Sequence, residues 1–360
     1  MTALSETIKR LTEQRAGHFG QGIPTSRLTD LGDFGSNPGT LAAKIYVPSA
    51  PAQTPALVVV LHGCTQTAEI YDYGSGWSRL ADEHGFILLY PEQSRTNNAN
   101  LCFNWFEPGD MRRSEGEAMS IIQMVEMVCR EHQVDRKRVF VTGLSAGGAM
   151  ANVMLATYPD VFAGGAIIAG LPYNVASTIP EAFERMRGNG LPSASILSAK
   201  ISDASPHRGP WPIVSVWHGT RDHIVAEANA NAIVMQWRSL HGASSSSQLS
   251  SVSEGNHRIT TWEMEDGFIP IELHSIDGMG HGTPIDAGSG LGSVGPFMLD
   301  VGVSSTAYIA RSWGLTPSFE KRSHSEPHQN DALPERPKPA PADGIRGVIE
   351  NALRSAGLMR

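Results

Sequence analysis

The sequence predicts an α/β fold, with a mostly parallel central sheet and helices on both faces. Three observations predict it. Short apolar runs bounded by turn residues alternate with stretches of helical character, the pattern of successive βαβ units. Runs such as LVVVL at 57–61 are apolar without alternation, as strands covered on both faces must be. The composition, 41% hydrophobic and 18% charged over 360 residues, is that of a globular chain with ample length for a real core.

In chain order, residues 5–17 are expected to form a short polar-rich helix. Strands follow at LAAKIYV (41–47), 57–61, GFILLY (85–90), RVFVTG (138–143) and PIVSVWHG (212–219). Helices are expected between them at Trp77–His84, Glu115–His132, Ala146–Thr157 and Ala226–Leu240. RITTWEM (258–264) and IPIELHSI (269–276) suggest a hairpin around Glu265–Gly267. A last core helix, Ser304 to Trp313, stops at Gly314, a residue suited to the left-handed position after a helix. Two polar loops interrupt this rhythm, 91–112 with its CFNWF and 171–210. In an open α/β sheet such loops beyond the strand ends build the ligand site.

Residues 1–315 are therefore expected to form one domain and 316–344, punctuated by prolines, an extended linker. In 345–360, Ile345, Val348, Ile349, Ala352 and Leu353 fall on one face of a short amphipathic helix. Lys+Arg 28 against Asp+Glu 36 leaves a net charge of -8 and no basic stripe, which argues against a nucleic-acid partner. No apolar run is long enough for a membrane span. The N-terminal stretch lacks the apolar core of a signal peptide, so a cytoplasmic location is expected, with secretion the alternative. Charge and tail helix fix no oligomeric state. Cys64, Cys102 and Cys129 are too few for a disulfide framework and lack metal-ligand spacing. Cys129, within IIQMVEMVC, is expected as a buried small hydrophobe.

Gly143-Leu144-Ser145-Ala146-Gly147 fits G-x-S-x-G between a strand and a helix, the strand–turn–helix context of a nucleophile elbow. Glycines flank the serine because the turn is tight and a Cβ would collide with neighbouring elements. A serine hydroxyl needs a neighbouring imidazole to take its proton. On this architecture the acid and then the histidine follow on loops after later strands. Asp222, after PIVSVW, and His281, in the Gly-rich turn DGMGHG, stand in that order. The turn is expected to leave the His281 ring exposed. His218, His223, His257 and His274 are weaker candidates for the base, and Asp203 is the rival acid. The backbone N–H groups of Ala146 and Cys64 are expected to form an oxyanion hole, with Gly63 letting the chain turn inward after the strand. His62 is expected to be structural. Trp105 and Phe106 on the long loop, and Trp77, are candidates to wall a substrate groove.

Taken together, LHGCTQTA, the NWF of CFNWFEPGD, RVFVTGLSAGGAMA, HGTRDHIV and GMGHG resemble the polyhydroxybutyrate depolymerase family of esterases, related to feruloyl and acetylxylan esterases. The resemblance covers roughly residues 25–315. It implies the α/β-hydrolase fold, a triad at Ser145, Asp222 and His281, and the Cys64 N–H as an oxyanion donor. It also implies that Cys64 could pair with Cys102, which would pin the NWF loop over the site. The turn after His281 departs from the family in lacking a Trp-Pro. The expected activity is ester hydrolysis through an acyl-enzyme, on a polyester or its oligomers, with neither metal nor organic cofactor. A feruloyl or acetylxylan esterase is the first alternative. A peptidase or thioesterase on the same machinery, or a non-catalytic binding protein of this fold, stands further off.

Overall fold

The computed structural model describes residues 26–242, 248–264 and 266–317. The helix expected over 5–17, the tail helix and all but the first residues of the linker lie outside them.

The elements run β1 (Thr29–Asp30), β2 (Ala42–Tyr46), β3 (Leu57–Leu61), α1 (Ala68–Ser75), α2 (Trp77–His84), β4 (Ile87–Glu92), α3 (Gly116–Glu131), β5 (Val139–Leu144) and α4 (Ala146–Thr157). They continue β6 (Gly164–Ile168), α5 (Ile179–Met186), α6 (Ala194–Ser202), β7 (Ile213–Gly219), α7 (Ala228–Arg238), β8 (Gln248–Glu254), β9 (His257–Glu263), β10 (Ile271–Ile276), β11 (Thr283–Ile285), β12 (Met298–Asp300) and α8 (Ser305–Ser312).

Ten strands form one sheet in the order β1-β2-β4-β3-β5-β6-β7-β10-β9-β8. The pairings from β4 through β10 are all parallel, while β1–β2–β4 at one edge and β10–β9–β8 at the other are antiparallel. Every residue of β3 is buried, and alternate side chains serve opposite faces. Leu57, Val59 and Leu61 join the core under α3, α4 and α7; Val58 and Val60 join the one under α2 and α8. The parallel strands thus end together at one edge, which is where the loops after β3, β5, β7 and β10 emerge.

The expected hairpin is present, with β9 and β10 in register at Trp262↔Ile271. Several features go beyond the sequence reading, the helices α1 and α6 among them. Strand β8 extends the sheet past β9, β6 lies between β5 and β7, and β11 and β12 form a separate parallel pair. Helix α8 starts under a Ser304 cap, whose hydroxyl accepts from the Ala307 N–H at 3.2 Å, and the chain leaves it through Gly314 at φ 62. Leu315 is the last core residue described. Trp77 is corrected by the structure. It is 1% exposed, stacked near Trp313 at 6.1 Å between ring centres and edge-on to Phe86, so it belongs to the core and walls no groove.

Burial also sets the acid response. It pushes His62, His241 and His257 down to about 4. Below about pH 6.5 the unfolded chain takes up protons at these sites that the native chain refuses. Burial lowers His218 as well, while it pushes the Glu117 carboxyl up to about 8 and raises Asp72 and Glu92, an opposite contribution that the histidines outweigh in this window. Stability is therefore expected to fall as pH drops from about 6.5 toward 4, read as a falling Tm across that window. A flat Tm there would contradict the buried, neutral state of these rings.

Candidate active site

The turn after β5 is tight. Ser145 sits at φ 58, ψ −117, a backbone conformation that non-glycine residues rarely adopt. Its N–H donates to the Ile168 carbonyl at the end of β6 at 2.9 Å, which anchors the strained residue to the neighbouring strand. The glycines around it are needed for space. A Cβ on Gly143 would lie 2.4 Å from the Gly147 carbonyl oxygen, and one on Gly147 would lie 2.3 Å from Leu61 O and 2.4 Å from His62 O. These distances press the first turn of α4 against the backbone leaving β3. Gly147→Ala must push these two backbones apart, so a large loss of both Tm and turnover is expected from thermal melts and ester assays.

Asp222 follows β7 and is buried. Its Oδ1 accepts from the N–H groups of Ile224 and Val225, each at 2.9 Å, and its Oδ2 faces His281 Nδ1 at 2.7 Å. Burial alone would raise its pKa, but the neighbouring His281, His218 and loop N–H groups outweigh it and hold the carboxyl below the usual carboxylate range. The loop carrying Asp222 is laced to the one carrying His281: Thr220 N–H donates to Ile276 O at 3.0 Å and Arg221 N–H to Met279 O at 2.9 Å.

The expectation of an exposed His281 ring is corrected. The residue is 3% exposed, and its Nε2 is buried with no hydrogen-bond partner among the described residues. Phe297, edge-on to it at 6.1 Å, comes from the segment between β11 and β12, which covers the turn. An unpartnered buried nitrogen whose sister nitrogen is clamped by a carboxylate is a base waiting for a proton donor. No hydrogen bond joins it to Ser145 Oγ, which itself has no partner among the described residues. Contacts of this kind often tighten only when substrate is bound.

The rival residues stand elsewhere. His218 Nε2 donates to Val225 O, 2.9 Å away, and lies 3.6 Å from Asp222 Oδ2, the oxygen that His281 Nδ1 approaches more closely at 2.7 Å. His257 and His274 share a 2.9 Å hydrogen bond beside Trp217. His223 is exposed, and Asp203 is an exposed residue at the C-terminus of α6.

The backbone beyond β3 turns at Gly63, where a Cβ would lie 3.4 Å from the Leu144 carbonyl. This brings His62-Gly63-Cys64 against the elbow. The N–H groups of Cys64 and Ala146 have no acceptor among the described residues. Cys64 is disulfide-bonded to Cys102, and Thr65 N–H donates to Asn100 O at 2.7 Å, so the loop of 93–106 is tied down beside the elbow. Cys129 is free and buried. Closing a loop across 38 residues constrains the unfolded chain by about 4 kcal/mol, so reduction is expected to lower Tm substantially. The disulfide holds CFNWF in place, but not as a groove wall throughout. Trp105 is 5% exposed and belongs to the core, while Phe106, edge-on to it at 5.2 Å, is half-buried and is the accessible ring of the pair.

Sequence reasoning missed the polar network beneath this loop. Glu117, fully buried on α3, accepts from Gln93 Nε2 at 2.6 Å, Asn104 N–H at 2.8 Å and Asn97 Nδ2 at 3.2 Å. A signal was available. Glu117 lies on the same helix face as the buried Ile121, Met124, Val125 and Val128, and a charge on an apolar stripe needs partners. Among the described residues no three His, Cys, Asp or Glu side chains are grouped to hold a metal ion, and no helix is long and apolar enough to cross a membrane.

Comparison with known proteins gives the fold and the family. Among solved structures, the acetyl xylan esterase from Aspergillus awamori superposes with a TM-score of 0.69 over 80% of this chain and 99% of that one, at 24% identity, which establishes the shared α/β-hydrolase fold. Feruloyl esterase B of Talaromyces stipitatus is 33% identical over 73% of this chain and 75% of its own length. Poly(3-hydroxyalkanoate) depolymerase C of Paucimonas lemoignei is 46% identical over 298 residues, 80% of this chain and 70% of that protein. The family model described as esterase PHB depolymerase matches residues 41–259, a stretch holding the elbow, the Asp222 loop and the Cys64 turn. With the match spanning more than half of its length, the chain belongs to the esterase PHB depolymerase family, a family of carboxylic-ester hydrolases.

Proposed function

We propose that the chain hydrolyses the ester bonds of a short-chain polyhydroxyalkanoate, or of its oligomers, through an acyl-enzyme on Ser145. The observation that carries the mechanism is the 2.7 Å contact of His281 Nδ1 with Asp222, which leaves Nε2 as the free basic atom at the strand ends where Ser145 also lies. Ser145 Oγ attacks the ester carbonyl as His281 Nε2 takes its proton. Asp222 keeps the other ring proton on Nδ1 and stabilises the imidazolium. The Cys64 and Ala146 N–H groups receive the oxyanion. His281 then returns its proton to the leaving alkoxide, freeing an alcohol. In the second half it deprotonates a water that attacks the acyl-serine, giving the carboxylic acid and restoring Ser145.

The substrate rests on the likeness to the Paucimonas depolymerase, and the half-buried Phe106 of the 93–106 loop is proposed as an apolar contact for a polyester. The relatives named as feruloyl and acetylxylan esterases support a second reading, with the same triad and a sugar-linked ester. Turnover of a polyhydroxybutyrate suspension, methyl ferulate and acetylated xylan by the same preparation separates them. Clearing of the suspension supports the depolymerase; release of ferulate or acetate without clearing moves the substrate to the second reading.

The location follows the disulfide. Disulfides persist in oxidising compartments, so the Cys64–Cys102 bond favours secretion, the alternative, over the cytoplasm. Thiol labelling of the protein taken from its native host tests this: one free cysteine is expected, and three would point to the cytoplasm.

A further inference from the structure

The Cys64 N–H belongs to the Gly63–Cys64 peptide, so whatever holds the Gly63 carbonyl oxygen also aims that N–H. In a trans peptide the two point in opposite directions within one plane. His62 Nδ1 lies 2.8 Å from the Gly63 oxygen, and the Gln66 N–H is a second, longer donor at 3.2 Å. The ring's other nitrogen settles the tautomer. His62 Nε2 lies 3.1 Å from the backbone N–H of Gln93, which can only donate, so Nε2 accepts and the neutral ring carries its proton on Nδ1. Burial keeps this ring neutral through the physiological range. Phe103, with its ring centre 4.9 Å away, packs on the imidazole.

Gln93 is itself held. Its Nε2 donates to Glu117 Oε1 at 2.6 Å and to the carbonyl of Cys102 at 3.0 Å, so the clamp reaches both ends of the disulfide. From these contacts we infer that His62 is a positioning residue of the oxyanion hole: its Nδ1–H grips the Gly63 carbonyl and thereby aims the Cys64 N–H, while Gln93, braced by Glu117, fixes the ring in the tautomer that can do so. The inference rests on the reading of Cys64 as an oxyanion donor. It assigns His62 no contact with substrate and no proton transfer.

Two substitutions separate the ring's two nitrogens. In His62→Asn the amide nitrogen stands near the place of Nδ1 and can still donate to Gly63 O. In His62→Gln the amide stands near the place of Nε2, keeping the Gln93 contact and losing the grip on Gly63. The readout is the rate ratio between p-nitrophenyl acetate and its thiono analogue. Sulfur accepts hydrogen bonds weakly, so a well-aimed oxyanion hole favours the oxygen ester. His62→Gln is expected to lower kcat on the oxygen ester about 10²-fold with KM nearly unchanged, and to reduce the oxygen-to-sulfur ratio with it. His62→Asn is expected to recover most of both. A ratio equal to wild type in His62→Gln would overturn the inference and leave the ring a packing role.

Should neither variant accumulate as folded protein, the nitrogen resonances of the His62 ring in the wild type decide. Protonation at Nδ1 is expected, and protonation at Nε2 would overturn the inference. Failure of the site reading itself looks different: wild-type turnover would then be undiminished in Ser145→Ala, whatever His62 does.

Discussion

Ser145→Ala is expected to remove turnover of both p-nitrophenyl esters and polyhydroxybutyrate by about 10⁴–10⁶-fold while leaving the fold intact. The loss is large because the acyl-enzyme has no other oxygen to form on, and the residual activity is what the oxyanion donors and binding alone supply. The fold survives for a specific reason. What fixes the residue in place is its N–H on Ile168 O at 2.9 Å, and alanine keeps that bond. Ser145 Oγ has no partner among the described residues, so its removal leaves no buried group unsatisfied. Alanine meets the same steric demand at φ 58 as serine does. A matched pair of thermal melts and progress curves therefore separates loss of chemistry from loss of structure. An alanine variant that retains a tenth of the wild-type rate would remove Ser145 from the mechanism.

Asp222→Asn is expected to cost about 10⁴-fold in kcat, with the residue's shape unchanged. The loop decides which way the new amide faces. Two N–H groups, from Ile224 and Val225, already donate to Oδ1 at 2.9 Å, so the amide oxygen must sit there. The amide NH₂ is then turned toward His281 Nδ1, where the Oδ2 contact of 2.7 Å had been. Facing a donor, Nδ1 must accept, and the ring proton moves to Nε2. An imidazole protonated at Nε2 cannot take the Ser145 proton. The variant should recover partly at high pH if hydroxide assists the attack, and its kcat should fall far more than its KM rises. Comparable activity in Asp222→Asn would mean that the carboxylate does not set the tautomer.

How much of this was legible depended on what each residue's environment demands. Strands β3, β5 and β7 were legible because burial on both faces leaves continuous apolar runs between turn residues. Strand β6 was not, because it opens with Gly164-Gly165, residues depleted in strands. Their absence of side chains is a packing requirement: a Cβ on Gly164 would lie 2.5 Å from Ile213 Cγ1, and one on Gly165 2.6 Å from Leu155 Cδ1. The β11–β12 pair was equally hidden in a Gly- and Ser-rich stretch with strands of three residues each. That omission explains the error over His281, since the same stretch supplies the Phe297 that covers its ring.

The placement of Ser145, Asp222 and His281 after β5, β7 and β10, and the pairing of the last two, were legible because chain order and strand ends constrain them. The aromatic assignments were not, since an aromatic next to a loop or helix start can serve core or groove with the same local sequence. Trp77 and Trp105 proved to be core, and only Phe106 keeps an accessible face. The pairing of Cys64 with Cys102 was open in the sequence because it depends on how close the 93–106 loop comes to the turn after β3.

The most direct test of the central assignment is covalent trapping. The wild-type protein is treated with an aryl phosphonate ester reagent that mimics the tetrahedral intermediate, and the labelled peptide is identified by mass spectrometry. One phosphonyl group on Ser145 is expected, formed in step with loss of esterase activity and slowed in Asp222→Asn. Label on a different serine, or complete inactivation with Ser145 unmodified, would contradict the account.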